Sequence, residues 1–142
     1  MTRCCILIIA HAPLASALSL VVQHTLCERR SDLLVVDVEP TSDREPYVSR
    51  CLAMLRPGRW DGVLLLTDLW GATPARVAAD VAERLSVASC IVTGVHPGML
   101  LPLLGGEAMQ SDFRELARSA RSEGRRWILQ IDGEEIVEVE TP

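Results

Sequence analysis

The sequence predicts a doubly wound α/β domain, a mostly parallel sheet in strand order 2-1-3-4 with helices on both faces. Three observations predict it. Four short runs, Cys4–Ala10, Leu33–Val38, Gly62–Thr67 and Cys90–Val95, are continuously or mostly apolar rather than alternating, as strands covered on both faces require. The segments between these runs carry helical spacing or helix-start signals. No repeat, low-complexity stretch or linker interrupts the alternation, so residues 1–142 read as one domain.

The elements follow in order. After the first strand, Pro13 suits the first turn of a helix whose apolar stripe is Leu14, Leu18, Val21, Val22 and Leu26. The second strand ends at Glu39-Pro40, and Ser42–Leu55 reads as a helix stopped by Pro57-Gly58. The third strand opens into the loop Asp68–Ala72. There Thr73-Pro74 supplies a hydroxyl cap and a proline at the first helical position, for a helix reaching about Leu85. The fourth strand leads through His96-Pro97-Gly98 to a short apolar helix from Met99. Ser111–Ser122 is a further helix, capped by Ser111, with Glu123-Gly124 near its end. The C-terminal strand or hairpin spans residues 126–140. In it, Trp127–Ile131 and Ile136–Val139 pair across an Asp132-Gly133 turn, and Glu134, Glu135, Glu138 and Glu140 form a solvated face.

Composition removes several classes of function. The chain is 49% hydrophobic and 23% charged, ordinary values for a globular protein. A net charge of -5 and 4% aromatic residues argue against a nucleic-acid partner, which needs clustered cations or stacking platforms. No apolar run nears the roughly 18 residues of a membrane span, and Met1–Ala10 lacks a clean cleavage pattern, so a cytoplasmic protein without membrane insertion is expected. Cys4, Cys5, Cys27, Cys51 and Cys90 are odd in number and form no C-x-x-C, which fits reduced, mostly buried thiols. Walker and Rossmann glycine patterns are missing from the sequence, and no cofactor is implied.

In open parallel sheets, ligands bind beyond the carboxyl ends of the strands where the strand order reverses, here between the first and third strands. Those two strands deliver His11 and Thr67-Asp68. A neutral imidazole attacks phosphorus through one nitrogen if the other carries the proton. A carboxylate accepting that proton's hydrogen bond fixes the tautomer and stabilises the developing imidazolium. Phosphoryl transfer otherwise needs positioning and charge stabilisation, which the helix starts at Pro13 and Pro74 and the Gly71–Thr73 loop are placed to supply. The bland alternatives are that Asp68 only opens a turn, Thr73 only caps a helix, and Trp70 only packs a loop. A metal site from His11, Asp68 and His96 has no supporting ligand spacing, and no metal is expected. His24 is assigned no role.

Three blocks carry a resemblance. They are Ile6–His11, then Gly62–Pro74 with Thr67-Asp68-Leu69-Trp70-Gly71-Ala72-Thr73-Pro74 at its centre, then Thr93-Gly94-Val95 followed by Met99-Leu100-Leu101. In this order and spacing the chain resembles the mannose-type enzyme IIA family of the bacterial phosphoenolpyruvate:sugar phosphotransferase system, over nearly its whole length. The resemblance implies that His11 accepts a phosphoryl group from phospho-HPr through Nε2 and passes it to an enzyme IIB. It implies that Asp68 is the hydrogen-bond partner of His11, and that the Thr73 hydroxyl, with Gly71 and Ala72, lies near the phosphate. It further implies a homodimer in which Trp127–Ile131 packs on the partner's sheet. Trp70, His96 and Met99 fall where partner contacts are expected. The chain departs from the family pattern at Ala12, in place of Gly, and at Gly71-Ala72, in place of Gly-Gly. His96-Pro97-Gly98-Met99 replaces the usual Asn-(Leu or Ile)-Pro-Met, and the terminal hairpin is longer.

The leading expectation is therefore a phosphoryl carrier with a phosphohistidine intermediate, serving sugar transport or a regulatory relay. Two alternatives stand beside it: a non-catalytic regulatory or binding module of the same fold, and the phosphocarrier domain of a dihydroxyacetone kinase system.

Overall fold

A computed structural model describes residues 3–56 and 58–137. The element order is β1 (Cys4–His11), α1 (Leu14–Leu26), β2 (Leu33–Val38), α2 (Glu45–Met54), β3 (Gly62–Thr67), α3 (Thr73–Arg84), β4 (Ala88–Thr93), α4 (Pro97–Gly105), a 3-10 turn (Ala108–Gln110), α5 (Phe113–Arg126), β5 (Gln130–Asp132) and β6 (Glu135–Val137). The first four strands form one sheet in the order β2-β1-β3-β4, parallel throughout. This is the expected order, and it places β1 and β3 at the centre.

Alternate residues of the central strands feed two cores. Ile6, Ile8, Leu64 and Leu66 meet Leu18 and Val22 of α1, Leu100 and Leu103 of α4, and Leu116 and Ala120 of α5. Leu7, Ile9, Val63 and Leu65 meet Val48 and Cys51 of α2 and Val77 and Val81 of α3. Every residue from Ile6 to Ala10 is wholly buried, which accounts for the unbroken apolar run.

Several element boundaries move from the sequence reading, each for a local reason. The segment before α2 is a turn in which Thr41 Oγ1 accepts from the Asp43 N–H and Asp43 Oδ1 from the Glu45 N–H, so the helix starts at Glu45 rather than Ser42. β4 runs over Ala88–Thr93 instead of Cys90–Val95. Gly94 leaves the strand at φ +79°, a region that favours glycine, and its N–H donates to the Asp68 carbonyl at 3.2 Å. α4 begins at Pro97, ahead of Met99. The cap of α5 is Asp112, whose Oδ1 accepts from the Arg114 and Glu115 N–H groups at 2.9 and 3.0 Å, and not Ser111.

α5 also continues past Ser122 to Arg126, through Gly124. Gly124 is not a stop signal. A Cβ there would lie 2.8 Å from Met99 Cε, so glycine lets α5 approach α4. The extra turn uses up part of the expected strand, and of Trp127–Ile131 only Gln130 and Ile131 lie in a strand, β5, which ends at Asp132. The turn is centred on Gly133-Glu134 with Gly133 first, at φ +64°, rather than on Asp132-Gly133. Pro57, Glu138, Val139 and Glu140, named in the sequence reading, lie outside the described residues. Cys4, Cys5 and Cys51 are buried free thiols, Cys90 is half-buried and Cys27 is exposed. Burial pushes the Cys5 and Cys51 thiols up to about 12. No helix among the described residues is long and apolar enough to cross a membrane.

Gly62 shows how tightly the first core is closed. A Cβ at this position would stand 2.6 Å from Cβ of Phe113, which is fixed to the α5 backbone and cannot swing away. Gly62→Ala is therefore expected to destabilise the protein by about 1–3 kcal/mol, read as a lower urea midpoint at unchanged slope. An unchanged midpoint would show that α5 shifts freely on the sheet.

Candidate functional site

Register brings the site together. Ile9 pairs with Thr67 across β1 and β3, so His11 and Asp68 emerge two and one residues later at the same end of adjacent strands. The His11 ring lies with Nδ1 2.7 Å from Asp68 Oδ2. The same Oδ2 accepts the His11 backbone N–H at 3.0 Å, and Oδ1 accepts the Leu69 N–H at 2.9 Å. A carboxylate only accepts, so the ring proton sits on Nδ1 and the lone pair on Nε2. The His11 side chain is 49% exposed and that of Asp68 only 14%. One oxygen of a nearly buried carboxylate thus orients a half-exposed ring whose other nitrogen makes no hydrogen bond among the described residues.

The carboxylate is suited to that task. Burial by itself raises the pKa of Asp68. The hydrogen bonds from the His11 ring, the His11 N–H and the Leu69 N–H outweigh burial and hold it below its ordinary value of 3.8. Asp68 is therefore a charged acceptor at neutral pH.

The two helix starts differ in a way the sequence did not suggest. At α1, Asp37 from the end of β2 accepts the Ser16 backbone N–H at 3.1 Å and the Ser16 hydroxyl through its other oxygen. A carboxylate already occupies that positive end, with Pro13 at the cap position. The signal was Asp37 itself, the one charged residue in an otherwise apolar strand. At α3 the N-cap is Ala72, which has no side chain to offer, and no side chain caps the first turn. Thr73 is the first helical residue and not the cap, so its hydroxyl is left unspent by the helix. Gly71, at φ +88° with open space around it, turns the loop into this helix start. Of the two helix N-termini, α3 is the one left available to an anion.

The remaining predicted residues separate. Trp70 is 66% exposed and its neighbour Leu69 62%, an apolar pair beside the carboxylate that the sequence reading had only half identified. Met99 is corrected: it is 3% exposed and packs in the core against Gly124, where it can contact no partner. His96 is also placed differently from the expected phosphate or partner contact. Its Nδ1 accepts the Gly98 N–H at 3.2 Å and its Nε2 donates to the Gly124 carbonyl at 2.8 Å, so both ring nitrogens are engaged in tying α4 to α5. His96 is not brought together with His11 and Asp68, and no metal-binding cluster occurs among the described residues.

Thr67, one residue before Asp68, is fully buried, and its hydroxyl has no hydrogen-bond partner among the described residues. Thr67→Val removes an unpaired buried hydroxyl and is expected to raise stability by about 1 kcal/mol, read as the urea midpoint. A clear loss of stability would show that the hydroxyl has a partner in solution.

A protein-family model described as "PTS system fructose IIA component" matches residues 5–121 of this chain. A comparison with curated proteins found no match. Among solved structures, the chain is similar to the mannose/sorbose specific IIA subunit of the phosphotransferase system from Enterococcus faecalis. The TM-score is 0.74 at 23% identity, over 96% of this chain and 100% of that one. It is similar to a phosphotransferase system component EIIA from Streptococcus agalactiae, with a TM-score of 0.77 at 16% identity, over 89% and 96% of the two chains. It is also similar to a PTS IIA protein associated with the fucose utilization operon of Streptococcus pneumoniae, with a TM-score of 0.67 at 22% identity, over 85% and 90%.

Proposed function

Since this chain belongs to the IIA family of the phosphotransferase system, fructose and mannose type, we propose that it is a phosphoryl carrier whose covalent intermediate forms on His11. The observation that carries this reading is the His11–Asp68 pair: Nδ1 lies 2.7 Å from a carboxylate oxygen that can only accept, which places the proton there, and Nε2 of the half-exposed ring makes no hydrogen bond among the described residues. The Nε2 lone pair attacks phosphorus on the donor, phospho-HPr. A phosphorus–nitrogen bond forms as the donor's own breaks, and the donor nitrogen leaves with its electron pair. The Nδ1 proton stays where it is, and Asp68 stabilises the imidazolium that results. Transfer onward to an enzyme IIB or a regulatory target reverses the step. The α3 N-terminus, the Thr73 hydroxyl and the Gly71-Ala72 loop receive the phosphoryl oxygens, and Trp70 with Leu69 forms a partner contact at the rim.

The same reading includes a cytoplasmic homodimer built through the C-terminal segment. Its support is that β4 is an edge strand and that β5 and β6 are exposed along their whole length.

The test is incubation with phosphoenolpyruvate, enzyme I and HPr, followed by intact mass. One acid-labile phosphate per chain, mapped to His11, is expected. An unchanged mass, or label on Ser, Thr or Cys, would overturn the assignment.

A further inference from the structure

A cavity of about 350 Å³ lies at the end of the sheet where the strands begin. Its walls come from the segments that lead into three neighbouring strands: Arg3 into β1, Arg29 to Asp32 into β2, and Trp60 into β3. At about 3.3 Å per residue, the eight residues of β1 put it roughly 25 Å from His11. It is therefore separate from the site described above. Its size falls at the lower end of the range for small-molecule sites, about 300–1,000 Å³.

The polar groups at this end of the sheet divide into spent and unspent. Asp32 gives both oxygens to Arg30, at 3.0 and 2.8 Å, and the remaining nitrogen of Arg30 goes to Glu28 and the Leu104 carbonyl. Asp61, beside Trp60, accepts the Arg3 backbone N–H through one oxygen and the Arg3 guanidinium through the other. Both aspartates are thus already matched. What is left over donates. Arg29 is exposed and makes no hydrogen bond or ion pair among the described residues. Arg3 uses only Nη2 of its guanidinium, on Asp61 and the Gly58 carbonyl, so Nε and Nη1 are free among the described residues. The Ser31 hydroxyl likewise has no partner there. Trp60 carries a buried indole N–H with no acceptor among the described residues, and the Arg59 guanidinium lies over its ring, 5.2 Å from the centroid.

A cavity rich in unspent donors, whose carboxylates are already paired, is complementary to a ligand that accepts. We propose that it binds a small organic oxyanion, a phosphate ester or a carboxylate. The anionic end meets Arg29 and Arg3, and the carbon body lies against Trp60. Guanidinium groups present planar forks that match the oxygens of either anion. The volume leaves room for more than a bare ion, and the indole ring supplies an apolar surface for the rest of the molecule. The surroundings favour negative charge as well. Arg3, Arg29, Arg30 and Arg59 stand here against Glu28, Asp32 and Asp61, on a chain whose net charge is -5.

The test titrates the full, 15N-labelled chain with glycerol 3-phosphate and, separately, with glycerate, which puts a carboxylate on a three-carbon body. Sodium chloride at matched ionic strength sets the baseline. The readout is the indole N–H resonance of Trp60, identified as the one missing from Trp60→Phe. If that variant does not fold, Trp70→Phe and Trp127→Phe, both at exposed positions, identify it by elimination. A saturable shift with a millimolar dissociation constant is expected for at least one probe, and the tighter probe distinguishes phosphate ester from carboxylate. Arg29→Gln is expected to weaken that binding about 10-fold, the lower end for loss of a charge-assisted hydrogen bond. Shifts that follow the chloride baseline for both probes overturn the proposal, and so does an unchanged affinity in Arg29→Gln. Neither result bears on His11, whose phosphorylation is read separately by intact mass.

Discussion

His11→Ala is expected to accept no phosphate and to unfold at nearly the wild-type urea concentration. The chemical loss is complete because the imidazole is the only nucleophile this arrangement orients. The structural loss is small for a specific reason. Removing the ring takes one hydrogen bond from Asp68, but the carboxylate keeps the His11 backbone N–H at 3.0 Å and the Leu69 N–H at 2.9 Å, neither of which depends on the side chain. Asp68 is not left as an uncompensated buried charge, the usual source of large losses. With the ring 49% exposed, little apolar area is forfeited, and a change within about 1 kcal/mol follows. Intact mass after incubation with the phosphoryl donor system reads the first effect and a urea titration the second. Residual incorporation would mean that another group carries the phosphate.

Asp68→Asn is expected to remain folded and to slow phosphoryl transfer by about 10- to 100-fold, since a charge-assisted hydrogen bond contributes roughly 1.5–3 kcal/mol. The amide keeps one acceptor oxygen, which serves the His11 N–H or the Leu69 N–H but not both, while the parallel β1–β3 ladder still holds the strand ends together. It can also turn an N–H toward the ring, which then accepts at Nδ1 and holds its proton on Nε2, hiding the attacking lone pair. The negative charge that stabilises the imidazolium is gone as well. The measurement is the single-turnover rate from phospho-HPr, with the thermal midpoint alongside it. A wild-type rate would reduce Asp68 to a turn former, a role Asn fills equally well.

The pH dependence gives a second reading of the same residue. The folded pKa of Asp68 is lowered, because its hydrogen bonds outweigh the effect of burial. Its contribution to stability is therefore complete above the unfolded carboxylate pKa and is lost as pH falls through the lower folded value. The stability difference between wild type and Asp68→Asn should be level near neutrality and shrink in the acid range.

The sheet and the His11–Asp68 pair were legible because both depend on the pattern of a few central strands. Runs buried on two faces have no polar alternation, and once their order is set, register alone brings the two polar exits together. What the sequence concealed depends on contacts between elements distant along the chain. Asp37 caps a helix more than twenty residues upstream. Gly124 looked like a terminator, yet it serves an approach to Met99 that only the packing of α4 on α5 creates. Thr73-Pro74 carries a strong capping signal, but the loop from Gly71 places the cap at Ala72. His96 leaves β4 toward the site end of the sheet and was assigned to it, although its ring turns to the Gly124 carbonyl. In each case the local signal was real and a partner elsewhere in the fold decided its use.

The exposure of the His11 ring sets a clock on the proposed chemistry. The His11 side chain is half exposed, so a phosphoramidate formed there meets water from the moment the donor departs. Spontaneous hydrolysis then competes with capture by the next protein, and the fraction of phosphate delivered is the ratio of those two rates. Fidelity in such a design comes from encounter frequency rather than shielding: abundant acceptor gives tight coupling, and scarce acceptor gives loss to water. The lifetime of the isolated adduct, measured without any acceptor, would state how long this protein can wait.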